Sequence, residues 1–344
     1  MTSGHSTSSR AQQGFTIVEL MVALALGLII ATALVYIFIA NNLSYRVQTG
    51  LARAQEGGRF TVDFLARDIR MAGFNGSCLA RGDMLTNNLN AGYASSFGTY
   101  VQGYDASGGS WSPTLDATIS AHAPTTGSDI LTLRLAREGV PLTTPYMPTT
   151  AADLHVPAGN PFRQYDIAVI CDAVGGAIFQ ITNANPATSG SLVHNTGTGS
   201  PGNAIKDLDH KYAANAEIFG LSTRSYYVAP NTRGSTSLWM LTTPCPAGES
   251  CPVELVEGVE RLQLEYGLDT DNDLQHSANR FATAGSVGDW SQVVSVRIGV
   301  LVRSADDGLR TTTAALSFNG STTASDRRLR KTYTSVVHLR NRAP

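Results

Sequence analysis

The feature that most constrains the fold of this chain is one uninterrupted apolar run near its start. From Leu20 to Ala40 the sequence reads LMVALALGLIIATALVYIFIA, and Thr32 is its only polar residue. A helix rises about 1.5 Å per residue, so a run of this length spans the hydrocarbon core of a bilayer, which is about 30 Å thick. The run therefore predicts a helix that crosses a membrane.

A cleaved secretory signal peptide is the competing interpretation of this run. It requires basic residues directly before the apolar segment and a small-residue cleavage site after it. Here Glu19 precedes the run and two asparagines follow it, so we expect the segment to be retained. On the positive-inside rule, Arg10 keeps the short N-terminal stretch in the cytoplasm, and the chain from Arg46 onward is exported.

The composition of the chain bounds what the exported part can be. Hydrophobic residues make up 42% of the 344 residues, which is enough for a sizeable core and rules out wholesale disorder. The formal net charge of -2 argues against a generally basic nucleic-acid binder. The 33 glycines and the long Ser/Thr/Asn/Gly stretches predict a strand-rich domain with long loops.

A helical pattern continues beyond the membrane run. Apolar residues recur every three or four positions from Leu43 to Ile69, along one face of an amphipathic helix, and Gly73 is a natural C-terminal cap. We therefore expect one helix over about 15–72. Gly50 and the pair at 57–58 weaken this helix and are interpreted as bends.

Eight segments of the exported part have the composition of β-strands. A loop region with short strands is expected at 79–128, and loops are expected at 183–202 and 305–325. The expected strands are 130–135, 165–171, 177–181, 224–228, 237–241, 262–268, 294–302 and 333–339. Apolar and polar positions alternate in 294–302, which predicts a half-buried strand. These elements predict an α+β fold in which a mainly antiparallel sheet packs on the second half of the long helix.

The first motif with chemical meaning lies where the polar N-terminal stretch meets the apolar run. It reads Gly-Phe-Thr-Ile-Val-Glu-Leu over 14–20. A carboxylate such as Glu19 at the mouth of a membrane span is costly if it is buried unpaired, so acids at this depth usually mark function. The alternative for Glu19 alone is an interfacial side chain that reaches into water.

This motif resembles the N-terminal signature of type IV pilins and pseudopilins, in which a prepilin peptidase cuts after the glycine and the new N-terminal phenylalanine is methylated. The resemblance implies processing between Gly14 and Phe15 and N-methylation of Phe15. It also implies that Glu19 offsets the N-terminal charge of a neighbouring subunit. The implied regions are a cytoplasmic leader at 1–14, a transmembrane and polymerisation half of the helix at 15–40, an amphipathic half at 41–72 and an exported β-rich pilin domain at 73–344.

Two shorter stretches point to one family of pilins. LARDIRMAGFNGSC at 65–78 and VVHLRNR at 336–342 resemble the PilW family of minor type IV pilins and, more distantly, the J-type minor pseudopilins of type II secretion. The resemblance implies a type IV pilin-like fold and a minor pilin of the initiating or tip complex that promotes pilus assembly.

The same resemblance implies a location and a set of partners. The expected location is the bacterial inner membrane, with the N-terminus cytoplasmic and the C-terminal domain periplasmic, followed by the pilus. The implied partners are other minor pilins, the major pilin, the prepilin peptidase and the inner-membrane assembly machinery, with a tip adhesin as a further candidate.

Two other classes of function remain open. A minor pseudopilin of a type II secretion system would share the fold and the N-terminal chemistry. A membrane-anchored enzyme or surface-binding protein is the third class, but HExxH, GxSxG and P-loop motifs are missing from the sequence. The histidines of the exported part are dispersed and expected mainly at the surface: His122, His155, His194, His210, His276 and His338. No enzyme is predicted.

Four cysteines lie on the exported side: Cys78, Cys171, Cys245 and Cys251. An even number in an oxidising compartment implies disulfides. Cys245 and Cys251 bracket a short loop that is easily closed, which leaves Cys78 to pair with Cys171. Zinc is the rival interpretation, but the sequence has neither a CxxC pair nor a histidine at ligand spacing.

The best metal candidate consists of Asp269, Asp271 and Asp273, which alternate in a polar loop after a predicted strand. Alternating aspartates can converge on Ca²⁺, as at the start of an EF-hand loop. Leu274 stands where that loop has glycine, and Arg280 stands where it has a bidentate glutamate. Calcium is therefore a candidate cofactor, and an ordinary Asp-rich turn is the alternative.

A basic cluster near the C-terminus consists of Arg327, Arg328, Arg330, Lys331, Arg340 and Arg342. Contact with DNA or with an acidic partner is one interpretation. Alternation along the last strand puts neighbouring charges on opposite faces, which favours solvated arginines or subunit contacts. Nucleic acid is not an expected partner.

The first testable prediction concerns processing. If the bond between Gly14 and Phe15 is cut, the protein isolated from cells begins at Phe15 and carries one N-methyl group. Mass spectrometry of the N-terminal peptide from membranes and sheared pili checks this. An intact Met1 leader in assembled pili, or cleavage after the apolar run, would contradict the assignment.

Overall fold

The computed structural model describes residues 14, 16–73, 85–107, 109–246, 248–271, 277–318 and 320–341. The chain divides into two compact units, Met1–Gly50 and Leu51–Pro344. Each unit is described by itself below.

One long helix, α1, covers Ile17–Met71 and confirms the helix expected from the sequence. In the first unit its large apolar side chains are exposed throughout the run, as lipid-facing side chains are. Within the described residues, α1 is the one helix long and apolar enough to cross a membrane. Gly73 follows with a φ of 75°, the left-handed conformation that commonly ends helices.

The described part of the second unit contains a nine-stranded sheet, here sheet A, which is antiparallel apart from the β1–β7 pair. Its strands are β1 Leu85–Asn87, β2 Val101–Ser107, β3 Ser110–Ser112, β4 Ile130–Pro141, β6 Ile167–Cys171, β7 Gly176–Gln180, β9 Glu217–Pro230, β10 Thr236–Thr243 and β11 Val253–Glu257. The order is β1-β7-β6-β9-β4-β2-β3, and β10 joins β9 to β11.

A second, four-stranded sheet, here sheet B, is antiparallel in the order β13-β12-β14-β17. Its strands are β12 Val259–Leu268, β13 Arg280–Ala282, β14 Val293–Arg303 and β17 Arg330–His338. Two small ribbons pair β5 Leu154–His155 with β8 Ser191–Leu192, and β15 Ser317–Phe318 with β16 Ser321–Thr322. Two four-residue helices complete the regular elements, α2 Ala117–Ser120 and α3 Pro186–Ser189. All eight expected strands are present, and the α+β class is confirmed.

The main core lies between α1 and the two sheets. The second half of α1 buries a face that includes Ala54, Leu65 and Ile69, and apolar side chains from both sheets pack against it. Burying apolar area of this kind is the main favourable contribution to folding. This half of α1 is therefore held by the β-domain.

The glycine pair at 57–58 allows α1 to approach the sheets closely. A methyl group on Gly58 would overlap the ring of Tyr333, and one on Gly57 would lie 3.2 Å from Cγ1 of Val256. The helix remains continuous through both residues. The sequence-based interpretation as bends is therefore replaced by one of close packing.

A buried polar contact joins α1 to sheet A. Asp68 lies on the buried face of α1 and accepts a 2.7 Å hydrogen bond from Nη1 of Arg224 and a second bond from the Tyr226 hydroxyl. Burial raises the pKa of Tyr226, and the neighbouring Asp68 carboxylate raises it further, so the hydroxyl remains protonated and donates. The three side chains fix the rotation and height of α1 on the sheet.

The second prediction tests this contact. Asp68→Ala removes the acceptor of both bonds and leaves a guanidinium and a hydroxyl unpaired at the helix–sheet boundary. We expect the free energy of unfolding to fall by about 2–3 kcal/mol. Asp63→Ala, on the exposed face of the same helix, is the matched control and should change it by less than about 0.5 kcal/mol. Denaturant unfolding of the full chain in detergent measures both. Equal effects would show that Asp68 contributes no more to the free energy of unfolding than the exposed Asp63 does.

Residues 128–129 connect the two sheets. The backbone N–H of Asp129 donates to the carbonyl of Leu262 at 2.8 Å. The Asp129 carboxylate accepts from the backbone N–H of Leu264 at 2.7 Å and from that of Ala106 at 2.9 Å. Ala106 belongs to β2 and Leu264 to β12, so one buried carboxylate bridges sheet A and sheet B.

The third prediction follows from the charge state of Asp129. Burial raises its pKa to about 7, although its two backbone N–H donors oppose the shift. The unfolded value is about 3.9, so the folded state binds the proton more tightly. This contribution to stability is complete below about pH 4 and is lost as the pH rises through about 7.

We therefore expect the free energy of unfolding of the wild type, minus that of Asp129→Asn, to fall as the pH rises from about 4 to about 7. The change should be at most about 1.4 kcal/mol per pH unit. Denaturant unfolding of both full-length proteins across this window measures it. A difference that stays constant with pH would show that Asp129 does not titrate there.

Two sequence-based expectations about burial are wrong. β14 is buried at nine of its eleven positions, including Ser295 and Leu301 on the face expected to be polar. The segment 183–202 is not simply an exposed loop, because Leu192 and His194 are fully buried. His194 contacts the carbonyl of Ala152 at 3.0 Å, and burial lowers the pKa of its ring.

Candidate assembly site

The N-terminal motif lies at the start of α1. Gly14 is exposed and precedes the helix, while Phe15 lies outside the described residues. The predicted cleavage after Gly14 and methylation of Phe15 therefore stay predictions. Glu19 is exposed in the first turn of α1.

Thr16 and Glu19 form a reciprocal cap at the start of α1. The backbone N–H and the hydroxyl of Thr16 both donate to Oε2 of Glu19 at 3.1 Å, and the backbone N–H of Glu19 donates to Oγ1 of Thr16 at 3.2 Å. This is a capping box, which satisfies N–H groups that the helix itself leaves unpaired. Sequence reasoning missed the role of Thr16, although the spacing T-x-x-E is its signal.

The cap uses only one oxygen of the Glu19 carboxylate. Oε1 of Glu19 makes no hydrogen bond to any part of the chain that the structure describes. A carboxylate at a helix N-terminus is also favoured by the helix dipole. Glu19 is therefore held in place within its own chain while one oxygen remains able to accept from another chain.

The surface that follows Glu19 is apolar on every side. Ile17, Leu28 and Phe38 are each more than two-thirds exposed in the first unit. Such an area is stable only in lipid or against other apolar helices. The site therefore combines a carboxylate with a helix surface that is suited to a membrane or a helix bundle.

The long N-terminal helix and the β-domain are together those of a type IV pilin-like protein. Comparison with protein families agrees: the model described as Type IV Pilus-assembly protein W matches residues 225–341, and the Prokaryotic N-terminal methylation motif matches residues 9–35. The two matches support the PilW-type minor pilin that the sequence indicates. They point to a structural pilus component, anchored in a membrane, and not to an enzyme. Neither the curated proteins nor the solved structures contain a match.

The segment matched by the PilW model carries much of the surface on which α1 rests. It includes Tyr226, which bonds to Asp68, and Tyr333, which packs on Gly58. It also includes Asn341, whose side-chain amide donates to the carbonyl of Ala72 at the end of the helix, at 3.1 Å. The matched region therefore supplies part of the contact that holds the helix.

The cysteines are partly described. Cys245 and Cys251 form a disulfide, as expected from the short loop between them. Cys171 is buried at the end of β6 and is disulfide-bonded. Its expected partner, Cys78, lies outside the described residues, so the pairing of Cys78 with Cys171 stays a prediction.

The predicted calcium site is also only partly described. Asp269 is 8% exposed directly after β12, and its backbone N–H donates to the carbonyl of Gln292 at 2.9 Å. Asp271 is exposed, and Asp273 lies outside the described residues. No group of three acidic, histidine or cysteine side chains suited to a metal occurs among the residues that the structure describes. Calcium at this loop stays a prediction.

Within the basic cluster near the C-terminus, Arg327, Lys331 and Arg340 are exposed, as expected of solvated side chains, whereas Arg330 is not. The side chain of Arg330 is 3% exposed and bonds to both carboxylate oxygens of Glu260, at 2.7 and 3.0 Å. It also bonds to both carboxylate oxygens of Asp326, at 2.7 and 2.9 Å. Arg328 donates to the carbonyls of Ser304 and Ala305. Two carboxylates compensate the buried guanidinium, so its role is within the domain. Arg342 lies outside the described residues.

Proposed function

We propose that this minor pilin acts in the complex that initiates type IV pilus assembly and remains at the pilus tip. The carrying observation is the Glu19 carboxylate at the head of an exposed apolar helix, which is bonded within the cap through Oε2 while Oε1 has no hydrogen-bond partner among the described residues. An ammonium created at Phe15 of one subunit and Glu19 of its neighbour would compensate each other in a low-dielectric surrounding.

The geometry of such a contact favours filament growth. It joins the N-terminus of one subunit to a different surface of the next, so it is heterologous and does not close on itself. The second unit, Leu51–Pro344, carries two sheets and long connections on one helix. This bulk supports a subunit used once or a few times in a filament over one repeated along its length.

The location and the remaining partners of the chain follow from the same role. The chain is inserted in the bacterial inner membrane with its N-terminus in the cytoplasm and its β-domain in the periplasm, and it then enters the pilus. It is cut and methylated by the prepilin peptidase. It meets other minor pilins, the major pilin and the inner-membrane assembly machinery, and a tip adhesin is a candidate neighbour.

The fourth prediction separates the charge of Glu19 from its capping role. Glu19→Gln removes the charge but keeps a side chain that can complete a capping box. We expect it to insert and fold normally and to lose most pilus initiation in cells that express it at the natural level. Thr16→Val is the matched control, because it breaks the cap at a cost of about 1 kcal/mol and leaves the charge in place.

The measurement is the number of pili per cell by electron microscopy, with immunoblots of membranes as the control for protein level. Normal piliation by Glu19→Gln, or an equal defect in Thr16→Val, would refute the charge-pairing argument. Crosslinking and co-purification from the same cells test the partners. Recovery of type II secretion components in place of pilus components would reassign the chain to a secretion pseudopilus.

A further inference from the structure

A polar pocket lies on the face of sheet A that points away from α1. It has a volume of about 480 Å³, within the range of small-molecule sites. Strands β2 and β4 form its floor, and the turn at Tyr93–Ser95 and the segment before α2 form its rim. Its lining residues are Gly92, Tyr93, Ser96, Gln102, Tyr104, Thr114, Leu115, Asp116 and Arg134.

The unusual member of this lining is Arg134, which is 2% exposed. Its Nη1 donates to the carbonyl of Thr99 at 2.6 Å. Nη2 meets only the carbonyl of Tyr93 at 3.5 Å and Oε1 of Gln102 at 3.4 Å, both at the outer limit of a hydrogen bond. Nε has no partner in the described part of the chain.

All the partners of Arg134 are neutral. Burial lowers the pKa of its guanidinium, and no carboxylate among the described residues bonds to it. This contrasts with Arg330, whose buried guanidinium is held between two carboxylates. A buried charge without a counter-charge is costly, so Arg134 has a strong physical need for an anion.

Two further groups in the pocket can donate hydrogen bonds. The hydroxyl of Tyr104 makes no hydrogen bond to the described residues, and burial raises its pKa, so it keeps its proton. Gln102 accepts from Arg134 through Oε1, which leaves the amide N–H groups of its side chain as donors. Gln102 and Tyr104 stand two residues apart on β2 and therefore face the same side of the sheet as the pocket.

One carboxylate, that of Asp116, also lines the pocket. It is half-buried and accepts the backbone N–H of Thr118 at 2.8 Å as the N-cap of α2. Solvent screens a half-exposed charge more than a buried one. Asp116 therefore weakens the attraction for an anion without replacing the missing partner of Arg134.

We propose that this pocket binds the carboxylate of a small ligand, with Arg134 as the cation and Tyr104 and Gln102 as the hydrogen-bond donors. A carboxylate brought to Nη2 replaces two long contacts with charge-assisted bonds and neutralises the buried guanidinium. The volume suits a ligand of the size of a sugar acid. The site is separate from Glu19 and does not depend on pilus assembly.

The test is thermal unfolding of the purified full-length protein in detergent, with sodium acetate or sodium glucuronate titrated against sodium chloride at constant ionic strength. We expect a saturable rise in melting temperature with carboxylate and none with chloride. Arg134→Gln should weaken the apparent affinity by about tenfold or more. A response to both probes shows that the carboxylate alone is sufficient, and a response to glucuronate alone shows that the sugar ring contributes; both support the proposal.

Three further variants keep the test decisive if Arg134→Gln fails to fold. Tyr104→Phe should weaken binding by removing one donor. Asp116→Asn should tighten it, because it removes the opposing charge and asparagine still caps α2. Asp63→Asn makes the same charge change on the exposed face of α1 and should leave the affinity unchanged. No saturable response in the wild type, or equal affinities for Tyr104→Phe and Asp116→Asn, would overturn the proposal.

Discussion

The contact of Asp68 with Arg224 and Tyr226 is the interaction on which the architecture of the exported domain depends. Apolar packing alone would hold α1 against the sheets but would tolerate sliding and rotation, because it is not directional. A carboxylate that must meet two donors on one strand removes that freedom. The close approach at Gly58 and the Asn341 bond at the end of the helix both require the helix to lie in this position.

The parts that sequence reasoning predicted are those with a periodic signal. α1 has an uninterrupted apolar run followed by the period of a helix from Leu43 to Ile69, and the eight expected strands are apolar enough to be recognised individually. The strands outside these eight were not located individually, although short strands were expected within 79–128, because their sequences resemble those of loops. In β2, Gly103 is required because the ring of Tyr266 occupies the place of its side chain, a demand that only the folded partner reveals.

The candidate assembly site was predictable for a different reason, namely the dense local motif around Glu19. The anchoring pair was not, because Asp68 and Arg224 are 156 residues apart and no local spacing links them. The sequence indicates this pair only through Asp68, an acid on an apolar helical face. The sequence does not indicate that Arg134 is buried, because an arginine in a strand normally reaches solvent. The three-dimensional structure shows it buried among neutral oxygens.

The two oxygens of Glu19 have different roles in the proposed assembly: Oε2 caps its own helix and Oε1 accepts from a neighbouring subunit. This difference affects the order of events. Because Oε2 already caps the first turn of its own helix, the start of α1 is not frayed in a free subunit. A neighbour that arrives at Oε1 therefore finds its target oriented and loses little freedom in docking. Recruitment then uses a preorganised carboxylate. Its rate should therefore depend on how often subunits meet and not on local refolding of the helix start.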